Sequence, residues 1–170
     1  MLSSIPTTYR GIRYRSRAEA RWAIVFDRIG WTHFYEPEAF ELPGGWYLPD
    51  FYLPEVKAYF EVKGREPSIG ERRAAFELCE VTETTVVMSS GPPNPGRKQS
   101  DEDLLTFVPE RLDDEVLVFG YRGGFVDRRR DHHPACSIDL GNLAHLGSLR
   151  ETSWSAAFQA AANSRFGVFE

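Results

Sequence analysis

The sequence predicts a mixed α/β fold: a β-sheet with helices packed on it in the order α-β-β-β-α-β, followed by a C-terminal extension. Three observations predict it. A stripe at helical spacing runs from Ser16 to Gly30, strand-like runs separated by turn residues fill Thr32 to Gly64, and a second helical stretch leads into the apolar run TTVVMS. The boundaries drawn are residues 1–92 for the core and 93–170 for an extension packed on it as part of the same domain.

The first helix is SRAEARWAIVFDRIG, in which Trp22, Val25, Phe26 and Ile29 fall at i, i+3, i+4 and i+7, and Gly30 stops it. One turn further back the same stripe reaches Glu19, which places a carboxylate at the rim of the buried face. THFYEPEAFELPGGWYLPDFYLP reads as a hairpin turning at Pro43-Gly44-Gly45. Pro49 cannot donate to a ladder, so the chain beside Asp50 is expected at an edge or bulge. In KAYFEVKG, Ala58, Phe60 and Val62 share one face, and Tyr59, Glu61 and Lys63 the other. Residues 68–82 favour a second helix with Ala75, Leu78, Cys79 and Thr82 inward, and TTVVMS a short buried strand. SSGPPNPGRKQSDED is loop by composition. Beyond it, Glu115 to Tyr121 reads as a strand, FVDRRRDHHPACSIDLGN has no period, and SWSAAFQAAANSRFG reads as a terminal helix with Trp154, Phe158 and Ala161 on one stripe.

Composition sets bounds on function. With 42% hydrophobic and 14% aromatic residues in 170, the chain can bury an ordinary core, which excludes global disorder. A net charge of −5 argues against coating nucleic acid through bulk attraction. Arginines nonetheless cluster: Arg10, Arg13, Arg15, Arg17 and Arg21, then Arg65, Arg72 and Arg73, then Arg128 to Arg130. Such clusters can track phosphates, with Arg13, Arg15, Arg17 and Arg65 the candidate nucleic-acid contacts, or can be solvated surface. Two cysteines, Cys79 and Cys136, make no disulfide framework, and no apolar run suits a leader or a membrane span, so cytoplasmic residence is expected.

The chemistry concentrates in YLPDFYLPEVKAYFEVKG. A hard divalent ion such as Mg²⁺ commonly takes one or two carboxylates with water and substrate phosphate. Asp50 and Glu61 supply such a pair if their strands are neighbours. Lys63 leaves the same strand face about 6–7 Å from Glu61 along the backbone, near enough to serve the same phosphate. Glu19, across from the strands, is a candidate to hold a second metal or a metal-bound water. Catalytic candidates are therefore Glu19, Asp50, Glu61 and Lys63, and metal candidates Asp50, Glu61 and Glu19.

Pro49-Asp50 followed eleven positions later by Glu61-Val62-Lys63, with SRAEARWA before the hairpin and FEVKG leading into a helix, resembles the PD-(D/E)XK nucleases over residues 9–90. The arrangement is similar to TnsA-type transposon endonucleases and to phage Holliday-junction resolvases of the endonuclease I type. The resemblance implies a restriction-endonuclease-like mixed sheet flanked by helices and a metal-dependent DNA endonuclease of phage or mobile-element recombination, repair or replication. It implies Mg²⁺ or Mn²⁺ on Asp50 and Glu61, a catalytic Lys63, and Glu19 completing the site. DNA is the implied partner, and a homodimer would be needed to cut both strands symmetrically.

Simpler readings stand beside these. Ser16-x-x-Glu19 is a capping box, Asp50 is a turn carboxylate, and Glu61 with Lys63 is a solvent-facing pair on a half-exposed strand. His132, His133 and Cys136 are crowded and lack a fourth ligand, so a polar loop is expected there rather than zinc. His33 is expected on a strand surface. Two rival functions remain: a non-catalytic nucleic-acid-binding or adaptor protein of the same fold, and a nuclease subunit of a larger transposition complex.

Overall fold

The structure is a computed structural model that describes residues 4–93, 104–112, 115–122 and 151–166. It is a mixed α/β protein in which three helices pack on a mixed six-stranded sheet, with two small hairpins besides. The elements are β1 (Thr7–Tyr9), β2 (Ile12–Tyr14), α1 (Arg17–Ile29), β3 (Phe34–Tyr35), β4 (Phe40–Leu42), β5 (Gly45–Tyr47), β6 (Phe51–Leu53), β7 (Ala58–Lys63), α2 (Ile69–Thr82), β8 (Thr85–Ser90), β9 (Leu104–Leu112), β10 (Glu115–Arg122) and α3 (Glu151–Asn163). The large sheet runs β10-β9-β8-β7-β6-β3, while β1-β2 and β4-β5 form separate hairpins.

Helix α1 forms where the stripe predicts it. Ser16, in extended backbone, caps its start by accepting from the Glu19 amide, and Gly30 ends it at φ 78°, a conformation an L side chain rarely adopts. Trp22, Val25, Phe26 and Ile29 are all buried. Helix α2 opens with a full capping box, Ser68 with Glu71. Ala75, Leu78 and Cys79 are buried, whereas Thr82 is only partly so and its hydroxyl donates back to the Leu78 carbonyl.

The expected single hairpin divides in two. Its turn is present between β4 and β5, but the chain leaves that ladder at Leu48-Pro49 and re-enters the large sheet as β6. β6 pairs with β3 on one side and β7 on the other, both antiparallel. β7 then runs parallel to β8 through the α2 crossover, so the sheet is mixed at its centre. Because helices cover both of its faces, β7 is buried from Ala58 to Val62 rather than half exposed, and only Lys63 at its end is partly open. Phe60 and Val62 join the core of α1 and α3, and Tyr59 joins the core of α2.

β9 was not expected from the sequence, because Pro109 and the charged pair Glu110-Arg111 interrupt its apolar run. The sheet accommodates the proline. β8 pairs with β9 only from Leu104 to Phe107, so Pro109 lies where β9 has a partner on one side, β10. Phe158 of α3 packs edge-on against Trp22 of α1 at 5.9 Å, and Ala161 is fully buried, so residues beyond 93 complete the same sheet and core. The side chain of Trp154 and the segment carrying Arg128–Arg130, His132, His133 and Cys136 lie outside the described residues. Among the described residues no helix is long and apolar enough to cross a membrane.

Candidate active site

The candidate site forms where the β6–β7 ladder stops. Regular pairing joins Phe51 to Phe60, but Pro49 has no amide to donate and the chain bends at Asp50. Side chains replace the missing rungs. The Asp50 amide donates to Glu61 Oε1 at 3.1 Å, and the Val62 amide donates to Asp50 Oδ2 at 2.8 Å. Both carboxylates are thereby drawn inside, Asp50 to 4% exposure and Glu61 to 1%. The simpler reading of Glu61 as a solvent-facing strand residue does not describe it.

Lys63 completes the cluster. Its Nζ donates to Glu61 Oε2 at 3.0 Å, and the two share the α2 side of β7, as the alternation requires. Burial disfavours the ammonium, but the Glu61 and Asp50 charges outweigh it and raise the Lys63 pKa, so the group stays cationic. Its backbone is fixed as well. The Gly91 amide donates to the Lys63 carbonyl, and Trp22 Nε1 donates to the Gly91 carbonyl at 3.1 Å, tying the end of β7 to α1.

Burial, and then the Glu61 charge, push Asp50 up to about 7, outweighing the Val62 amide that favours ionisation. A cation already touches it. Arg15 NH2 lies 2.5 Å from Asp50 Oδ1, and Arg15 Nε lies 2.8 Å from Glu36 Oε1. Burial opposes the guanidinium charge, but Asp50 and Glu36 hold it protonated, above the ordinary arginine value. Glu36 sits at φ 46° and its amide donates to the Asp50 carbonyl, so a strained backbone aims this third carboxylate at Arg15.

Glu19 is near but not among them. It belongs to α1, across the sheet from the face that carries Glu61 and Lys63, and is 6% exposed. Its Oε2 accepts from the Arg15 amide at 3.0 Å and the Tyr35 hydroxyl at 2.7 Å, and its Oε1 meets Ser16 Oγ at 2.7 Å. Half of the capping box is therefore present: Ser16 caps the Glu19 amide, but the Glu19 carboxylate bonds the Arg15 amide rather than that of Ser16. Among the described residues no three His, Cys, Asp or Glu side chains lie close enough together to hold a metal ion. The pair Asp50 and Glu61 converges, then, and Glu19 does not join it.

The arginines divide likewise. Arg13 and Arg17 are exposed and carry no ion pair among the described residues, Arg65 pairs with Glu71 at 2.8 Å, and Arg15 is committed to the carboxylates. Arg15 is one of the four candidate nucleic-acid contacts, but its placement on Asp50 and Glu36 was not legible in the sequence. It stands among five arginines in twelve residues, and only its place just before the helix cap sets it apart. Glu36 and Tyr47 were not singled out. The Tyr47 hydroxyl is shielded from solvent and faces Glu61, and burial and the Glu61 charge raise its pKa. His33 is no strand-surface residue. Its Nε2 lies 3.3 Å from Asp27 Oδ1 and its ring packs against Phe26 and Phe51, which fastens the chain after α1.

The donor set suits a divalent cation. Each of the four oxygens of Asp50 and Glu61 accepts one hydrogen bond, which leaves lone pairs free. Three carboxylates, Glu36, Asp50 and Glu61, share two cationic side chains, Arg15 and Lys63, through these contacts. The carboxylates thus outnumber the cationic side chains that touch them, and the shielded Tyr47 hydroxyl faces Glu61 as a further polar atom. No protein-family model, curated protein or solved structure matches the chain, so the site is read from its own geometry.

Proposed function

We propose that the protein is a metal-dependent DNA endonuclease with a restriction-endonuclease-like core, built on Asp50, Glu61 and Lys63. The observation that carries this reading is the convergence of two buried carboxylates and one amine at the break in the β6–β7 ladder. The order α1, β3, β6, β7, α2, β8, with the β4–β5 hairpin inserted, is compatible with the α-β-β-β-α-β core of the PD-(D/E)XK nucleases. Asp50 and Glu61 would hold Mg²⁺ or Mn²⁺, which when bound supplies Lewis acidity and a more acidic water. Lys63, kept cationic by Glu61, offsets negative charge growing on a phosphoryl oxygen. Glu19 acts at one remove, by fixing the backbone of Arg15 and the ring of Tyr35.

The test is cleavage of linear, nicked, flapped and four-way DNA by the full chain in Mg²⁺ or Mn²⁺. Cleavage is expected from wild type and not from Lys63→Ala or Glu61→Ala; activity that survives in both variants refutes the assignment. One observation favours the non-catalytic alternative: a guanidinium already rests on Asp50. DNA binding that falls with salt, without ion-stimulated cleavage of any substrate, would select it.

A further inference from the structure

We propose that Arg15 is a displaceable counter-ion, which occupies Asp50 until a divalent cation takes its place and which thereby sets the ion affinity of the site. This rests on the function proposed above. The guanidinium bridges two carboxylates with different atoms, NH2 on Asp50 and Nε on Glu36. Their surroundings differ. Asp50 is buried beside Glu61, whereas the Glu36 side chain is 29% exposed.

A cation arriving between Asp50 and Glu61 meets a positive charge at contact distance on the first of them. The two cannot share Asp50 Oδ1 without strong repulsion. The geometry provides a way out. The Arg15 side chain is 53% exposed, so it can turn toward solvent without displacing the core, and Glu36 retains its Nε while NH2 lets go. Its backbone stays fixed throughout, because the Arg15 amide is shared by Glu19 Oε2 at 3.0 Å and the Tyr35 hydroxyl at 2.9 Å. Backbone strain at Glu36 has a use in this scheme, since it keeps the second carboxylate in reach. The released NH2 is then free to meet a phosphate, which joins the counter-ion role of Arg15 to the phosphate role its sequence neighbourhood suggested. Lys63 cannot substitute, because it is held on Glu61.

The experiment is calorimetric titration of the full chain, free of DNA, with Mg²⁺ and with Mn²⁺, for wild type, Arg15→Gln and Asp50→Asn. Removing a half-exposed ion-pair partner is expected to tighten ion binding about three- to fivefold in R15Q. Binding should be lost in D50N. Heat of binding seen only in R15Q supports the proposal more strongly still. An R15Q affinity equal to or weaker than wild type, with wild type binding, overturns the counter-ion role and leaves the nuclease reading standing. Absence of binding in both wild type and R15Q overturns both. Should R15Q fail to fold, the wild-type protein answers alone: the Arg15 Nε–Hε NMR signal should move as the ion saturates, and a signal unmoved at saturation refutes displacement.

Discussion

Replacing Asp50 by Asn should stabilise the ion-free protein at pH 8 while disabling the site. In the unfolded chain this carboxyl ionises near 3.8, and in the fold near 7, because burial and the Glu61 charge penalise its ionised form. Between those values the unfolded chain has given up a proton that the folded chain keeps, so stability is greatest below about 4 and falls as pH climbs through 7. The interval is about three pH units at about 1.36 kcal/mol each, or about 4 kcal/mol of stability absent at pH 8. Asparagine carries no such penalty, and its carbonyl can still accept from the Val62 amide. It forfeits the contact with Arg15, which at 53% exposure is worth at most about 1 kcal/mol. The net expectation is a gain of about 3 kcal/mol at pH 8 that vanishes or reverses by about pH 4. Urea unfolding of both proteins with a chelator at pH 4, 6 and 8 measures this. A D50N variant less stable than wild type at pH 8 would mean that the Arg15 pairing outweighs desolvation, and the reasoning would be wrong. Saturating Mg²⁺ should restore wild type at pH 8, by about 2.7 kcal/mol at a hundredfold excess over Kd, and leave D50N unchanged.

Lys63→Ala should lower cleavage about 10²–10³-fold with ion affinity little changed, read by single-turnover kinetics beside calorimetry; an equal loss of ion affinity would show that the amine builds the site rather than acting in it. Glu19→Gln should cost about 1–2 kcal/mol in urea unfolding, because the amide cannot accept from all of Arg15, Ser16 and Tyr35, yet leave ion affinity within about twofold; lost ion binding in a stably folded variant would make it a ligand after all. Trp22→Phe keeps most of the ring but leaves the Gly91 carbonyl only the longer contact from the Ser89 hydroxyl at 3.4 Å, and should cost about 1–2 kcal/mol by the same assay.

How far the sequence reached can be seen at particular residues. Helix α1 was predictable to its ends because Ser16, the four apolar positions and Gly30 all state the same element. The alternation of β7 correctly placed Glu61 and Lys63 on one face, but strand period alone cannot say whether that face is solvent or a second core. Here α2 covers it. The hairpin and β9 failed for a shared reason: a proline was read without its partner strand. Pro49 separates two ladders and Pro109 sits where one side has no partner, which are facts of pairing between strands rather than of local sequence. Arg15 was concealed because nothing local distinguishes an arginine that will face a buried carboxylate from its exposed neighbours.

The break in the ladder connects fold to chemistry. A regular β6–β7 pair would satisfy the Val62 amide with a backbone carbonyl, and Asp50 and Glu61 would have no reason to turn inward. The chain bends away at Asp50, so the Val62 amide takes the Asp50 carboxylate and the Asp50 amide takes that of Glu61, and the buried charge then requires compensation. Lys63 answers for Glu61, and Arg15 answers for Asp50 from a different element and with half its surface in water. The two compensations differ in exposure: the lysine side chain is 19% exposed, the arginine side chain 53%. On the counter-ion role proposed for Arg15, the more exposed of the two cations is the one that gives way to a third.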